Sequence, residues 1–534
     1  FKGTVIEQMP YYHMITPERW VLITFLSIAF LVGGAVKFIF DLINQHASFI
    51  RRSTLERILK ACLILIIICI IFLDVTLFAR NIYPVPAIQS FPSVIKDVSY
   101  RDEYYRIMPN MLGLAYVPAV TYQEIMAGWY IEGSVLRDWL YNLDWMTSYG
   151  RRENLIAPIL QLFATKYFVT KSDDVNRIVR FNRTGEFNIY KKGGYCVMEL
   201  KRDVQYFNAR IPILYLGKRE DLMNIAETLL FSSDSSILIN GWKKHVDDYT
   251  IDELSKFDAV LISRYDCVNG SRMNDLLIKY AEHGGTVFVA PFYSTPILGM
   301  QSYYAESKDN YTIRVNEKFR NMIFRDVDFS NFSPAIYGGK YSWSYVAFKP
   351  SSTKYKTETL LTIDGNPVLA VSTLGKGKIV WIGFNFLLHI NHFLNRDEGR
   401  MMSNLIDWAC GKPPNVKVVS FEKRPYGYVD AIIKVNSTGP FWLLISETYY
   451  PGWKVYIDGK PAEVYMAEPK LMMVKIGEAH SNNIHISLRY EMTEIHMVGF
   501  AISVLSIAFM AALLIREQLK ISHTRKIVSN IQRV

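Results

Sequence analysis

Three long apolar runs constrain this chain more than any other feature. WVLITFLSIAFLVGGAVKFIF (Trp20–Phe40), ACLILIIICIIFLDVTLFA (Ala61–Ala79) and MVGFAISVLSIAFMAALLI (Met497–Ile515) each approach the length an α-helix needs to cross a bilayer, about 20 residues. The competing reading is a buried helix of a globular unit, but the apolar length and the charged flanks favour spanning. Cations then set the orientation. The loop 44–60 carries a net +3 and the tail 516–534 a net +4, which is most of the total of +10. Short positive flanks stay cytoplasmic, so the residues between the second and third runs are expected outside. This predicts a multi-pass protein of the plasma membrane with residues 81–494 extracytoplasmic and the lipid bilayer as one partner. A basic balance concentrated beside spans argues against nucleic acid as a partner.

Two further features fit an exterior region. Five Asn-X-Ser/Thr sequons, at Asn182, Asn269, Asn310, Asn331 and Asn436, all fall between the second and third runs, and Pro334 weakens the one at Asn331. Cys62 and Cys69 lie in the second run, leaving Cys196, Cys267 and Cys410 outside. These allow one disulfide at most, so ordinary cores must hold the region together. Asp74, toward the outer end of the second run, is costly to bury in lipid and is flagged as functional, against a position close enough to the surface to stay wet. Lys37 is expected to snorkel. The chain opens on Phe1 with no signal-peptide pattern, which reads as the carboxy-terminal part of a longer membrane protein, or a processed chain.

The pattern divides into an outer segment 1–19, a helix 20–43, a cytoplasmic loop 44–60, a helix 61–80, and a mixed α/β region 81–206. An α/β domain 207–411, a β-sandwich 415–491, a helix 495–515 and a tail 516–534 follow. In the α/β domain the apolar runs IPILYLG, FDAVLIS and GTVFVAP alternate with helical spacing such as Leu276, Leu277, Tyr280 and Ala281. Apolar strands alternating with helices imply a parallel sheet covered on both faces. After the linker GKPP (411–414), six strand-length runs imply an all-β sandwich. The expected fold class is therefore a multi-domain membrane protein: transmembrane helices, a flavodoxin-like, amidotransferase-like α/β domain outside, and a β-sandwich.

Chemistry-bearing patterns are sparse. ETYYPGWKVYIDG (447–459) alternates Trp453, Val455 and Ile457 with Lys454, Tyr456 and Asp458, a strand with one buried face. Trp453 is expected toward the core, with Tyr449 and Tyr450 as the better candidates for an exposed contact patch. Trp129, Tyr130 and Trp139 could stack on sugar rings or fill a core. His389 and His392, three apart with Asp397 and Glu398 nearby, lack the further ligands a metal needs, and GKGK (375–378) lacks phosphate-loop spacing. No metal, no cofactor and no catalytic residue is assigned.

ETYYPGWKVYIDGKPAEVY, with a β-rich tail and a last span, resembles the end of YfhO-like membrane proteins and archaeal multi-spanning relatives of the GT-C glycosyltransferase superfamily, some of them described as pterin-synthase-related. ATKYFVTKSD and AGWYIEGS resemble stretches of the same proteins. The resemblance implies a role in cell-surface glycan or glycolipid assembly. A polyprenyl-linked sugar or other surface glycan, or an envelope protein, would be the partner, and a large outer domain would dock it. A non-enzymatic surface-anchored binding or envelope-structure protein is the alternative. The first outer loop, where such enzymes usually keep their acidic residues, has no counterpart here. Residues 211–411, above all GNPVLAVSTLGKGKIVWIGFN, resemble class I glutamine-amidotransferase-like domains of the ThuA type. That family's Cys and His-X-Glu are missing, since GTVFVAP runs into Phe292-Tyr293 and Cys267 is misplaced. The resemblance implies a retained fold with the amidotransferase chemistry lost.

Overall fold

The computed structural model describes residues 93–498 apart from 100–103, 111–123, 127–136, 151, 292–295, 307–310, 334–335, 338–340, 343, 351–355, 425–427, 438, 479–481, 492–493 and 495–496. Its centre is a run of five parallel strands: β1 (Ile211–Gly217), β2 (Ser236–Asn240), β3 (Ala259–Ser263), β4 (Thr286–Val289) and β5 (Gly377–Ile382). Their spatial order is 2-1-3-4-5, all neighbours parallel, the flavodoxin-like doubly wound order. Every residue of β3 and β4 is buried, as an apolar strand covered on both faces requires.

Helices α1 (Leu222–Ser232), α2 (Gly270–Glu282) and α3 (Arg396–Cys410) flank this sheet. Each of the last two begins at an asparagine cap. Asn269 accepts from Arg272 N, and Asn395 accepts from Asp397 N and Glu398 N, so donors left over in the first turn are satisfied. The buried stripes follow helical spacing: Met273, Leu277, Tyr280 and Ala281 on α2, and Met401, Met402, Leu405, Ile406 and Ala409 on α3.

The sheet does not stop at the parallel strands. Beyond β5 it continues antiparallel through 366–374, 357–363 and 313–315, and beyond β2 through 464–467, 471–476, 441–448 and 207–209, twelve strands in all. Strands of 441–476 thus close one side of a second core while extending the first sheet. The other side is a five-stranded sheet in the order 416–424, 428–435, 483–490, 453–457, 460–462. Val429, Ala431, Ile433, Leu443, Ile445, Val474, Ile486 and Leu488 fill the space between them. Residues 106–109, 165–171, 195–200 and 187–192 form a separate four-stranded sheet.

This architecture corrects the expected fold class. The described residues form α/β and sandwich-like β layers rich in strand, and no helix among them is long and apolar enough to cross a membrane. The longest, α3, has 15 residues and carries Arg396, Asp397, Glu398, Arg400 and Asp407. At 1.5 Å per residue it would reach only about 22 Å, short of the roughly 30 Å hydrocarbon layer. The runs 20–40 and 61–79, and nearly all of 497–515, lie outside the described residues.

Candidate functional site

In doubly wound sheets ligands bind beyond the carboxyl ends of the strands, at the point where strand order reverses. Here that point lies between β1 and β3, and it is filled. Arg264, just past β3, reaches Asp221 Oδ1 at 2.9 Å and Glu220 Oε1 at 2.6 Å. Gly217 lets the backbones close: a Cβ there would stand 2.1 Å from Ser263 O. The adjoining cavity, lined by Ser263, Ala290, Pro291, Ile382, Phe386 and Leu387 among others, holds about 10 Å³, room for one water at most.

No activated thiol serves this end of the sheet among the described residues. Cys196, Cys267 and Cys410 are all free. Burial, with the Asp247 and Asp266 carboxylates, pushes the Cys267 thiol up, whereas a nucleophilic cysteine needs its pKa lowered. His389 pairs through Nδ1 with Glu398 Oε2 at 2.7 Å, both side chains fully buried. Glu398 also accepts from Ser333 N at 2.7 Å, so the pair ties α3 to the helix Phe386–Phe393 and the loop before 334. His392 is exposed, and no cluster of three metal-ligating side chains exists among the described residues.

A wide cleft lies at the opposite, amino end of β1 and β2. It encloses about 760 Å³ between residues 154–210, the end of α1, the outer face of α3 and the linker 412–416. Gly399 sets α3 close against α1, since a Cβ there would meet Phe231 Cε1 at 3.0 Å. Five cations line the cleft, Arg202, Arg210, Arg396, Arg400 and Lys412, against Glu186, Asp234 and Asp407. Most are engaged. Arg202 grips Glu186 with two nitrogens at 3.1 and 3.2 Å, and this fork holds the Glu186 carboxyl below its usual range. Lys412 reaches Asp407 at 3.6 Å, Ser235 Oγ donates to Asp407 at 2.6 Å, and Arg400 donates to Asp326 O at 2.5 Å.

Arg210 differs. It sits between the edge strand 207–209 and β1, its backbone N donating to Trp442 O at 3.1 Å. The residue is only 6% exposed, yet its side chain has no hydrogen bond or ion pair among the described residues. Burial pushes its guanidinium pKa down from the usual value, and only Asp234, itself exposed, opposes this.

A second charged cluster joins residues 104–124 to the strands after 416. Arg106 reaches Glu124 at 3.2 Å and Glu447 at 3.1 Å, and Lys423 reaches both carboxylates at 2.6 Å. Tyr206 and Tyr104 donate to Glu447 and Glu124 at 2.8 and 2.5 Å. Burial alone would push the Arg106 pKa down, but Tyr104, Glu447 and Glu124 together push it up.

The residues singled out in the sequence do not converge. Asn182, Asn269, Asn331 and Asn436 are exposed at separate places, with Asn269 engaged as the α2 cap and Asn331 donating to Asp328 and Asp397. Tyr449 and Tyr450 are half-buried, Tyr450 against Tyr490 and Trp453 edge-on to the same ring at 5.7 Å. Trp139 is buried in the main core. Asp74, Trp129, Tyr130 and Asn310 lie outside the described residues. Arg210 and the cleft around it were missed, although an arginine directly before the apolar run IPILYLG was a visible signal.

A family model described as "Domain of unknown function (DUF8560)" matches residues 237–389, less than half of the chain. No curated protein sequence matches it. Similar solved structures include a cytoplasmic protein, STM1381, from Salmonella typhimurium LT2, 15% identical over 36% of this chain and 99% of that one, with a TM-score of 0.25. A putative thua-like protein from Parabacteroides merdae is 9% identical over 38% and 91%, TM-score 0.26. An alpha-L-fucosidase isoenzyme from Paenibacillus thiaminolyticus is 10% identical over 54% and 49%, TM-score 0.23. A thua-like protein is thus among the structures this chain is similar to. TM-scores this low carry no argument about activity, and none of the three bears on the membrane-family resemblance.

Proposed function

We propose that the described region is a non-enzymatic docking module, an amidotransferase-like α/β core extended by β layers, whose polar cleft receives a ligand. The contrast between the two ends of the parallel sheet carries this reading. The carboxyl end has about 10 Å³ of space, while about 760 Å³ of polar cleft opens at the amino end. A cleft lined by hydroxyls, amides and charged groups offers the donors and acceptors that a hydroxyl-rich ligand needs. The resemblance to proteins of surface glycan assembly suggests a glycan or lipid-linked sugar.

Saturation-transfer NMR on the full chain with a panel of mono- and oligosaccharides tests this. Ser403→Trp, which fills the cleft from α3, should abolish the signal. Leu388→Trp, at the closed end, should leave it unchanged, and ammonia release from glutamine should stay at background. Turnover of glutamine, or a signal lost with Leu388→Trp and kept with Ser403→Trp, overturns the reading.

A further inference from the structure

We infer that Arg210 is an anion subsite of this cleft, so that the ligand carries an oxyanion group, a phosphate or a carboxylate. The inference rests on the docking reading and adds a ligand class to it. An arginine cannot shed its charge when buried, and an isolated charge in a poorly solvated place is unfavourable unless something neutralises it. Elsewhere in the cleft this rule is obeyed within the protein: the partly buried Arg202 faces the Glu186 carboxylate, while Lys412, beside Asp407, is largely solvated. Arg210 alone of these is nine-tenths buried, lines the cleft, and has no side-chain partner among the described residues. With Arg396 and Arg400 on the facing helix, the cleft has more cations than carboxylates. A guanidinium offers paired donors in a plane, which matches two oxygens of a phosphate or carboxylate.

Asp234 is the one carboxylate that acts on Arg210, and it is exposed at the rim. An incoming anion competes with it. Removing Asp234 should therefore strengthen binding, and because Asp234 also faces Arg202 at 3.7 Å, the gain should persist in an Arg202→Gln background, where a gain acting through Arg202 would vanish.

Calorimetric titration of the full chain with inorganic phosphate, glucose 1-phosphate, glucuronate and glucose separates the sources. Either glucose 1-phosphate or glucuronate, whichever is the matching class, is expected to bind more tightly than glucose. Arg210→Met should weaken that probe on the order of tenfold or more while leaving glucose unchanged. Arg210→Lys should recover part of the loss. Asp234→Asn, an exposed change that spares the core, should tighten the charged probe severalfold, and it keeps the test decisive if Arg210→Met does not fold. Glucose binding as well as both charged probes, with Ser403→Trp abolishing all three, overturns the subsite and leaves the docking cleft standing. Charged probes that depend on Arg210 but ignore Ser403→Trp overturn the cleft and leave the subsite. Binding of no probe in the millimolar range overturns both.

Discussion

Arg106 and Arg210 are both buried arginines at seams of the fold, 7% and 6% exposed, and they are provided for in opposite ways. Around Arg106 the protein supplies Glu124 and Glu447, a second cation in Lys423, two tyrosine hydroxyls, and the carbonyls of Phe163 and Ser446. Two cations and two carboxylates make a neutral, internally bonded set. Around Arg210, among the described residues, it supplies only the field of an exposed Asp234. A buried charge whose partners are all internal belongs to the architecture, because removing one partner leaves the rest stranded. One whose partner is missing costs stability as it stands, and a ligand is the simplest compensation.

That contrast breaks most easily at Glu447. Glu447→Ala leaves Arg106 and Lys423 sharing one carboxylate, and we expect a loss of about 3–5 kcal/mol, read from urea unfolding of the full chain. A loss below about 1 kcal/mol would show that the cluster is not the tie described. Next in size comes Glu124, a third exposed on its side chain, for which Glu124→Gln should cost about 1–2 kcal/mol. Burial pushes its carboxyl up, but Arg106 and Lys423 outweigh that and hold it below its ordinary 4.5. A depressed folded pKa means that this stabilisation is present above pH 4.5 and fades as pH falls through the lower folded value. The wild type should therefore lose stability faster below pH 4.5 than Glu124→Gln, and parallel pH curves would refute the assignment.

Arg210→Met sharpens the comparison with the opposite sign. Replacing an uncompensated buried charge by an apolar side chain should leave stability unchanged or raise it by about 1 kcal/mol. Loss of several kcal/mol would place Arg210 with Arg106 as architecture.

How much of this could be read beforehand depends on how local the cause is. The runs IPILYLG, FDAVLIS and GTVFVAP became β1, β3 and β4 because fully apolar strands suit only a covered sheet. The closing helix expected at 396–409 is α3, marked by its asparagine cap and periodic Met, Leu and Ile residues. The apolar runs in 441–476 mark buried strands but not their hydrogen-bonding neighbours, so nothing indicated that 464–467 pairs with β2 through Ala467 and Ile239. The charged cluster was hidden for the same reason. Glu447 opens the stretch ETYYPGW, yet its partner Arg106 is 341 positions away. The absence of a side-chain partner at Arg210 among the described residues is likewise a fact of three dimensions. The spans expected from apolar runs fall outside the described residues, whereas the α/β alternation was carried by patterns within them.

The smallest expected effect isolates burial as the variable. Lys256 and Glu463, 207 positions apart, pair at 3.1 Å across the boundary between the α/β core and the later strands, and their side chains are 45% and 64% exposed. Water already solvates both, and fixing two long side chains offsets the attraction, so Lys256→Ala should change stability by no more than about 0.5 kcal/mol, with that little screened away at high salt. The Lys423–Glu447 contact joins the same two kinds of group at 2.6 Å, but its side chains are only 15% and 17% exposed. If Lys256→Ala were to cost as much as Glu447→Ala, solvent access would not be what separates an architectural charge from an incidental one. The reading of Arg210 as a buried cation awaiting an external partner would then lose its physical basis.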